Sequence, residues 1–424
     1  MRILSHFSIA IALATAGTMA VSVVPQAASA QNQKPRKVKL SKAFKKAAGP
    51  LEKRVKAGDP SVKAEVEQLL QQPWSGDDLD IAGQYAINLG AALKDKPLQE
   101  LGINARLKSG VLSATNRAKL LRFSGIYAQG RGDNVVAESQ LKAAIAAGFP
   151  GPGAHLDLAN LYSKAKRHGE SLSMLAQAIQ MQNSTADKAP EDWYRAARDR
   201  ALATKDDGLY FKWSTNWATA YPSAAAWNDA ILAYKYSRNL SSLENLEVLR
   251  LMRASGGMTQ YDNYKEFAEE GEKIGGWAEI ASVLEQGQAN GVVESGSPLL
   301  SENLARAKRE IPNDRATLPT DPNKTGGSGS ANSIMNFADL WIGYKNYSKA
   351  AEFYKVATAK ASDPVEVNRG KMGTGIALAL SGDQAGAATA FGSVTGPRAE
   401  LAKLWKILLS QQSVPAPTET STAG

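Results

Sequence analysis

The chain has 424 residues, of which 43% are apolar and 21% are charged, and its formal net charge is +9. This composition is that of a globular protein, because disordered chains carry fewer apolar residues and a membrane bundle needs several long apolar runs. The absence of cysteine excludes disulfides, thiolate metal sites and cysteine nucleophiles, and three histidines leave little material for histidine chemistry.

Residues 1–30 have the pattern of a secretory signal peptide. Arg2 precedes an apolar run over residues 7–24, and Ala28-Ser29-Ala30 provides the small residues of a cleavage site, so we expect the mature chain to begin at Gln31. An uncleaved membrane anchor is the alternative, which polar and small residues inside the run disfavour. We expect export by the general route to the periplasm, with secretion as the alternative, and no transmembrane span in the mature chain.

The positive charge is concentrated in the basic N-terminal segment, residues 31–57. Residues 34–56 hold ten Lys and Arg against one acid, Glu52, whereas the chain from Asp59 onward has 39 basic and 40 acidic residues. Apolar residues at helical spacing predict one or two helices, interrupted at Gly49-Pro50. Two interpretations stay open: a docked helix with a solvated basic face, or a contact for anionic glycan, lipid or acidic protein. Nucleic acid is disfavoured, since one aromatic residue offers little base stacking.

Residues 58–310 are predicted to form a helical repeat array. Two segments, 118–150 and 152–184, align with small or apolar residues at matching positions of a first and a second helix. Small residues at such positions let the two helices of a hairpin approach closely. The matching residues are Leu121, Ser124, Gly125, Ala128, Ala137, Leu141 and Ala144 in the first segment, and His155, Leu158, Ala159, Tyr162, Ser171, Leu175 and Ala178 in the second.

These positions resemble the tetratricopeptide repeat, a helical hairpin with a period of about 34 residues. The pattern returns in the C-terminal repeats and last helix, residues 332–411, where Gly373-Thr374-Gly375 is interpreted as a close contact between helices. The resemblance implies an all-α fold, a helical-hairpin solenoid with a tetratricopeptide-like superhelix.

Two segments fall outside the array. Residues 311–331 are rich in Pro, Gly, Ser and Asp and are long for a turn between helices, so we expect a linker about which 332–411 hinges against 58–310. An ordered loop crossing the groove is the alternative. Residues 412–424 are expected to be a disordered tail.

The order of these spans also resembles exported, periplasmic repeat proteins of alphaproteobacteria, over nearly the whole mature chain. This resemblance implies an architecture and an envelope location, and it implies no activity. The segments that carry it are Glu191-Asp192-Trp193-Tyr194, Ala220-Tyr221-Pro222, Leu249-Arg250-Leu251-Met252-Arg253 and Thr395-Gly396-Pro397-Arg398-Ala399.

No motif for catalysis or cofactor binding stands out. The chain has no His-Glu-x-x-His, and no carboxylate arrangement around His155 or His168 is typical of a metal site. Adjacent acids such as Asp77-Asp78 point to different sides of a helix and are expected to cap it. We therefore expect no enzymatic activity, no cofactor and no metal, although carboxylates far apart in the sequence could still meet in the fold.

The concave groove of the array is the expected partner site. In tetratricopeptide arrays the first helices of successive repeats line this groove, and the resemblance carries that role to polar residues suited to an extended polypeptide. Ile126 stands where a clamp for a peptide carboxylate would need Asn, which disfavours that activity. The expected partner contacts are Lys119, Arg122, Gln129, Asn160, Lys164 and Arg369, and Ser163, Asn332, Met335, Asp339 and Met372 face the groove beside them.

The sequence thus predicts a non-enzymatic periplasmic scaffold or adaptor that binds an envelope protein or peptide in the groove. A repeat array presents much surface and little chemistry, which favours this function. The alternative is an envelope-surface binder of anionic glycan or lipid through residues 34–56. An enzyme, or an accessory domain of one, is the third hypothesis, and the chain lacks the separate catalytic domain that it would need.

Overall fold

The computed structural model describes residues 36–324 and 329–412 of the chain. Within these ranges the protein consists of twenty α-helices with no β-strand, which confirms the prediction of an all-α fold. The expected signal peptide, and the part of the expected tail that follows Gln412, lie outside the described residues.

The helices follow one another with mostly short connections. None in the described part is long and apolar enough to cross a lipid bilayer. The first ten are α1 (Lys42–Lys56), α2 (Lys63–Gln71), α3 (Gly76–Ala92), α4 (Lys96–Ser109), α5 (Ala114–Gly130), α6 (Asn134–Ala146), α7 (Gly153–Lys164), α8 (His168–Asn183), α9 (Glu191–Ala203) and α10 (Asp207–Ala220). The second ten are α11 (Ala224–Tyr236), α12 (Ser242–Ala254), α13 (Tyr261–Lys273), α14 (Trp277–Ala289), α15 (Ala305–Thr317), α16 (Ala331–Gly343), α17 (Tyr347–Lys360), α18 (Pro364–Ser381), α19 (Gln384–Gly392) and α20 (Ala399–Gln412).

Consecutive helices form tight hairpins, which confirms the predicted solenoid. The pairs are α3/α4, α5/α6, α7/α8, α9/α10, α13/α14, α16/α17 and α18/α19. All fourteen matching residues of the two aligned repeat segments are buried, as the alignment required. A Cβ at Gly125 of α5 would lie 2.8 Å from Cγ of Leu141 in α6, so only glycine permits this close approach. The contact between Gly375 and the Phe391 ring is of the same kind.

The turns inside these hairpins share one design. Each places a residue in the left-handed conformation, and in most of them the next residue is an Asp or Asn whose side chain accepts a hydrogen bond from the first turn of the second helix. This is a repeat signal independent of the buried positions. The left-handed residues are Lys94, Gly132, Lys166, Lys205, Gly275, Lys345 and Gly382, and the capping residues are Asp95, Asp133, Asp206, Asn346 and Asp383.

Helix α1 packs on α2 and α3 at the N-terminal end of the array. The interruption expected at Gly49-Pro50 is wrong, because α1 continues through both residues. Buried side chains before and after Pro50 hold the two halves against the same surface, and the exposed position of Pro50 leaves the carbonyl of Lys46 open to water. The buried residues of α1 are Phe44, Ala48, Leu51 and Val55.

The prediction of a linker over residues 311–331 is wrong for the first part of this range. Residues 311–317 belong to α15, whereas 325–328 lie outside the described residues. The residues that follow α15 are held by side chains of the next hairpin: Trp341 Nε1 donates to the carbonyl of Pro319 at 3.2 Å. Local composition indicated a loop, but packing on neighbouring helices stabilises a helical conformation here.

The C-terminal repeats do not form a separate unit. One hydrophobic core of buried side chains extends from Ala218 of α10 to Leu409 of α20. Helices on both sides of residues 311–331 contribute to it, and α14 contacts α16 directly. The expected hinge between 58–310 and 332–411 is therefore wrong, because such a motion would expose shared apolar surface to water.

We predict that Lys205→Gly raises the free energy of unfolding by about 1 kcal/mol, because a side chain at a φ of 59° carries the strain of the left-handed conformation. Lys205 is exposed and forms no ion pair with the described residues, so the substitution removes no stabilising side-chain ion pair. Urea unfolding followed by circular dichroism measures the change. Lys205→Ala is the control, since it removes the same charge and keeps the Cβ. Equal stabilisation by both variants would contradict the backbone explanation.

Candidate functional site

The first helices of successive hairpins are joined by polar contacts that span about one repeat. Arg122 of α5 bonds to Asp157 of α7, with Nε and Oδ2 2.6 Å apart, and Arg369 of α18 bonds to Asp339 of α16, with Nη2 and Oδ2 2.9 Å apart. Similar contacts join α9 to α11 and α11 to α13. We define the first-helix face as the surface formed by α5, α7, α9, α11, α13, α16 and α18. The sequence predicted that the concave groove lies on this face.

In the C-terminal half, α12 packs against this face. Residues 245–252 of α12 are all buried, so that the helix is enclosed on every side. Its side chains reach α14, α16 and the residues that follow α19. A helix of this kind runs through the interior of a protein and leaves no face for a partner.

Arg250 is the centre of the contacts that hold α12 in place. Its side chain is 2% exposed and bonds both carboxylate oxygens of Glu279 on α14, with Nε–Oε1 and Nη2–Oε2 distances of 3.0 and 2.7 Å. Its Nη1 lies 2.6 Å from Oδ1 of Asp339 on α16. Asp339 also bonds Arg369 on α18 and accepts a hydrogen bond from the Tyr354 hydroxyl on α17 at 2.6 Å. These five side chains, which we call the Arg250 network, join five helices.

The charges in the Arg250 network balance, with two guanidinium groups against two carboxylates. Burial by itself raises the pKa of the Asp339 carboxyl, but Arg250 and Arg369 together lower it further, so its pKa lies below the usual value. The carboxylate therefore stays ionised at neutral pH. Because each charge has a hydrogen-bonded partner, the network tolerates burial that an isolated charge would not.

Helix α20 packs back onto α10 and α11. Gln411 of α20 accepts a hydrogen bond from Trp227 Nε1 at 3.1 Å and donates one to the carbonyl of Ala218 at 2.9 Å. Just before α20, Arg398 bonds Glu247 of α12, with Nε and Oε2 2.9 Å apart and both side chains buried. Most residues of α11 are buried, and from α11 onward α12 and α20 cover part of the first-helix face.

The part of the first-helix face that neither α12 nor α20 covers lies on α5, α7 and α9, and we call it the open face. Lys119 of α5 is exposed, as are Asn160 and Lys164 of α7. Arg122, which is half-buried, forms its ion pair with Asp157 between these two helices. This pair brings the exposed stripes of α5 and α7 next to each other, so four of the expected partner contacts share one surface.

The other two expected contacts lie elsewhere. Arg369 is buried, and its guanidinium donates to Asn332 and Asn336 as well as to Asp339. These bonds make Arg369 part of the Arg250 network, away from the open face. Gln129, near the end of α5, is half-buried, and its side-chain nitrogen has no hydrogen-bond partner among the described residues.

A second candidate site is a row of lysines along α1. At 100° per residue these lysines fall within about 100° of arc and extend over about 21 Å, opposite the buried face of the helix. Only one of them forms an ion pair with a described residue, Lys56 with Glu52 at 2.7 Å. The lysine row consists of Lys42, Lys45, Lys46, Lys53 and Lys56.

Carboxylates distant in the sequence do meet, but in ion pairs. Glu279 and Asp339 are both buried, and each is held in an ion pair with Arg250. Over residues 36–324 and 329–412, no group of three or more His, Asp and Glu side chains is placed to hold a metal ion.

Comparison with protein-family models and with curated proteins finds no match. The inference of function therefore depends on the fold and on the surfaces described above.

The sequence analysis did not predict that α12 is enclosed, although the residues of this helix indicate it. Residues 245–252 have apolar side chains on all of the helix surface except the arc of Glu247 and Arg250, and such a wide apolar surface is typical of a buried helix. The partners of Glu247 and Arg250 lie between 29 and 151 residues away, and no local pattern indicates them.

We predict that Arg250→Met lowers the free energy of unfolding by about 3–5 kcal/mol, because it leaves the Glu279 and Asp339 carboxylates buried with one guanidinium fewer. Urea unfolding monitored by tryptophan fluorescence measures this change. The matched control is Lys265→Met on α13, whose pair with Glu269 is exposed, with an expected effect below about 0.5 kcal/mol. A similar small effect of both variants would show that the network is dispensable.

Proposed function

We propose that this protein is a non-enzymatic adaptor of the tetratricopeptide-repeat class that binds a segment of another envelope protein on the open face. The supporting observation is α12. The C-terminal half of the first-helix face already holds a polypeptide segment, through apolar burial and through ion pairs with Arg250. The open face continues the same series of first helices, and Lys119, Asn160 and Lys164 on it are exposed.

The chemistry of the open face favours an extended, acidic segment. Lys119 and Lys164 form no ion pair with the described residues and offer ammonium groups to carboxylates. The exposed amide of Asn160 can donate to a backbone carbonyl and accept from a backbone amide. Contacts of this kind suit a polypeptide bound along successive helices, with affinity distributed over several repeats.

The proposed location is the periplasm. The signal-peptide pattern of residues 1–30 supports export, and the resemblance to exported repeat proteins supports an envelope location. An adaptor there would meet its partner in an oxidising compartment, where a chain without cysteine has no thiol to be oxidised.

We predict that a photo-crosslinking amino acid at Asn160 captures one discrete protein in the producing cell, whereas the same amino acid at Gln177 does not. Gln177 is exposed on α8, a second helix, so it controls for non-specific capture. Mass spectrometry of the adducts measures the difference. Equal capture at both positions would contradict binding on the open face.

Charge reversal tests the same surface. Lys119→Glu with Lys164→Glu should lower the affinity for the captured protein at least tenfold, since two attractive contacts become repulsive. Lys212→Glu with Lys355→Glu makes the same charge change at exposed positions on the second helices α10 and α17, and should leave the affinity unchanged. Equal losses would point to net charge instead of the open face.

The lysine row supports a second candidate function, binding to an anionic envelope surface. Its ammonium groups lie along one exposed line, and the apolar face of α1 is already buried in the protein. Such a row would attract anionic headgroups without inserting into the bilayer, so its binding would be electrostatic and sensitive to salt.

We predict that the full chain binds vesicles of mixed phosphatidylcholine and phosphatidylglycerol at about 0.1 M salt and is released at about 0.5 M, because the screening length falls roughly twofold. Replacing Lys42, Lys45, Lys46 and Lys53 by Gln should abolish co-sedimentation. The control replaces Lys205, Lys212, Lys355 and Lys360, which lie elsewhere, by Gln. Binding that resists salt, or that both variants reduce equally, would contradict this function.

A further inference from the structure

A cleft of about 780 Å³ lies between the α3–α4 turn, the first turns of α4 and the C-terminal half of α5. Its volume is within the range of small-molecule sites, about 300–1,000 Å³. Ile126, which the sequence placed on the groove side of α5, is one of its lining residues. The apolar lining consists of Ala91, Pro97, Phe123, Ile126, Tyr127 and Gly130.

The uncharged polar groups of this lining already have partners. Gln99 is buried, and its side chain donates to the carbonyl of Gly90 at 3.0 Å and accepts from the Tyr127 hydroxyl at 2.6 Å. The cleft therefore offers few free hydrogen-bonding groups to a ligand. An extended polypeptide would bury backbone amides here without hydrogen-bond partners, which is unfavourable, whereas a hydrocarbon chain has no such groups.

The charged groups at the cleft leave an excess of two positive charges. Lys94, Lys96 and Arg131 line it together with a single acid, Glu100, which is paired with Arg131. The nearby carboxylate of Asp95 is bonded to Lys63 Nζ at 2.6 Å. Lys94 and Lys96 form no ion pair with the described residues. The two lysines flank Asp95 at the start of α4, where the helix dipole also favours an anion.

We infer that this cleft binds a single-chain amphiphile with a carboxylate head, a fatty acid. The hydrocarbon chain would occupy the apolar lining, and the carboxylate would lie between Lys94 and Lys96. This combination accounts for both features of the cleft, its apolar walls and its uncompensated cations. The inference does not depend on the proposed adaptor function, because the residues concerned are separate from Asn160 and Lys164 of the open face.

The test is calorimetric titration of the full chain with decanoate and with 1-decanol, which has the same chain length and no charge. Both are used below the concentrations at which they aggregate. We expect saturable binding of decanoate at one site, and about tenfold weaker binding of decanol, since two ion pairs at an exposed rim contribute about this factor.

Two variants assign the binding to the cleft. A Cβ at Gly130 would meet no atom within 4 Å, so Gly130→Leu places a side chain in the cleft without disturbing the helix, and should weaken both ligands at least tenfold. Gly169→Leu is the control, because Gly169 on α8 is equally unobstructed and lies outside the cleft. Lys94→Gln with Lys96→Gln should weaken decanoate about tenfold and leave decanol unchanged. Circular dichroism verifies that each variant is folded.

The outcomes separate the parts of the inference. An absence of saturable decanoate binding, or binding that Gly130→Leu does not affect, would overturn the site. Equal affinity for decanoate and decanol, with no effect of the lysine variant, would overturn the assignment of a carboxylate ligand. If Lys119→Gln with Lys164→Gln weakened decanoate as much as the Lys94 and Lys96 variant, the head group would lie on the open face, and the inference would be wrong.

Discussion

A buried guanidinium is stable only when carboxylates fixed around it compensate for its lost hydration. The packing of the C-terminal helices depends on how this requirement is met for Arg250. Its partners are provided by α14 and α16, and through Asp339 the network continues to α17 and α18. The buried charge is compensated only when these helices surround α12. The C-terminal hairpins thereby surround a central helix, which covers part of their first-helix face.

Because α12 is enclosed, the two halves of the protein differ in how many of their polar side chains already have a partner within the protein. From α11 onward several side chains of the first-helix face bond to one another, to α12 or to α20, and Arg369, which the sequence placed in the groove, is one of them. The open face, the lysine row and the cleft all belong to the N-terminal half, where exposed cations such as Lys42, Lys94 and Lys119 form no ion pair with a described residue. The contacts that we propose with other molecules therefore lie in this half.

Repeat architecture could be read from the sequence because its determinants are local. Small residues such as Gly125 and Gly375 lie where two helices cross, and a repeat reproduces that requirement at a fixed spacing. The turns inside the hairpins also repeat, because each has one residue in the left-handed conformation. This pattern is hard to recognise in the sequence, since Lys94 and Lys205 occupy positions where glycine would be expected. The prediction of a linker was wrong for residues 311–317, because their composition is that of a loop but contacts with helices distant in the sequence stabilise a helix.

The sequence by itself determined an all-α chain of hairpins, the burial of the aligned residues and the placement of the basic charge near the N-terminus. Each depends on residues close together in the chain. Only the tertiary structure decided that α12 lies inside the C-terminal hairpins, that Arg369 is bound into the Arg250 network and that no hinge separates residues 332–411. The reason is physical: these features arise from ion pairs, hydrogen bonds and apolar contacts between residues far apart in the chain. The separation is 29 positions for Arg250 and Glu279 and 193 for Ala218 and Gln411, and helical periodicity carries no information about such pairings.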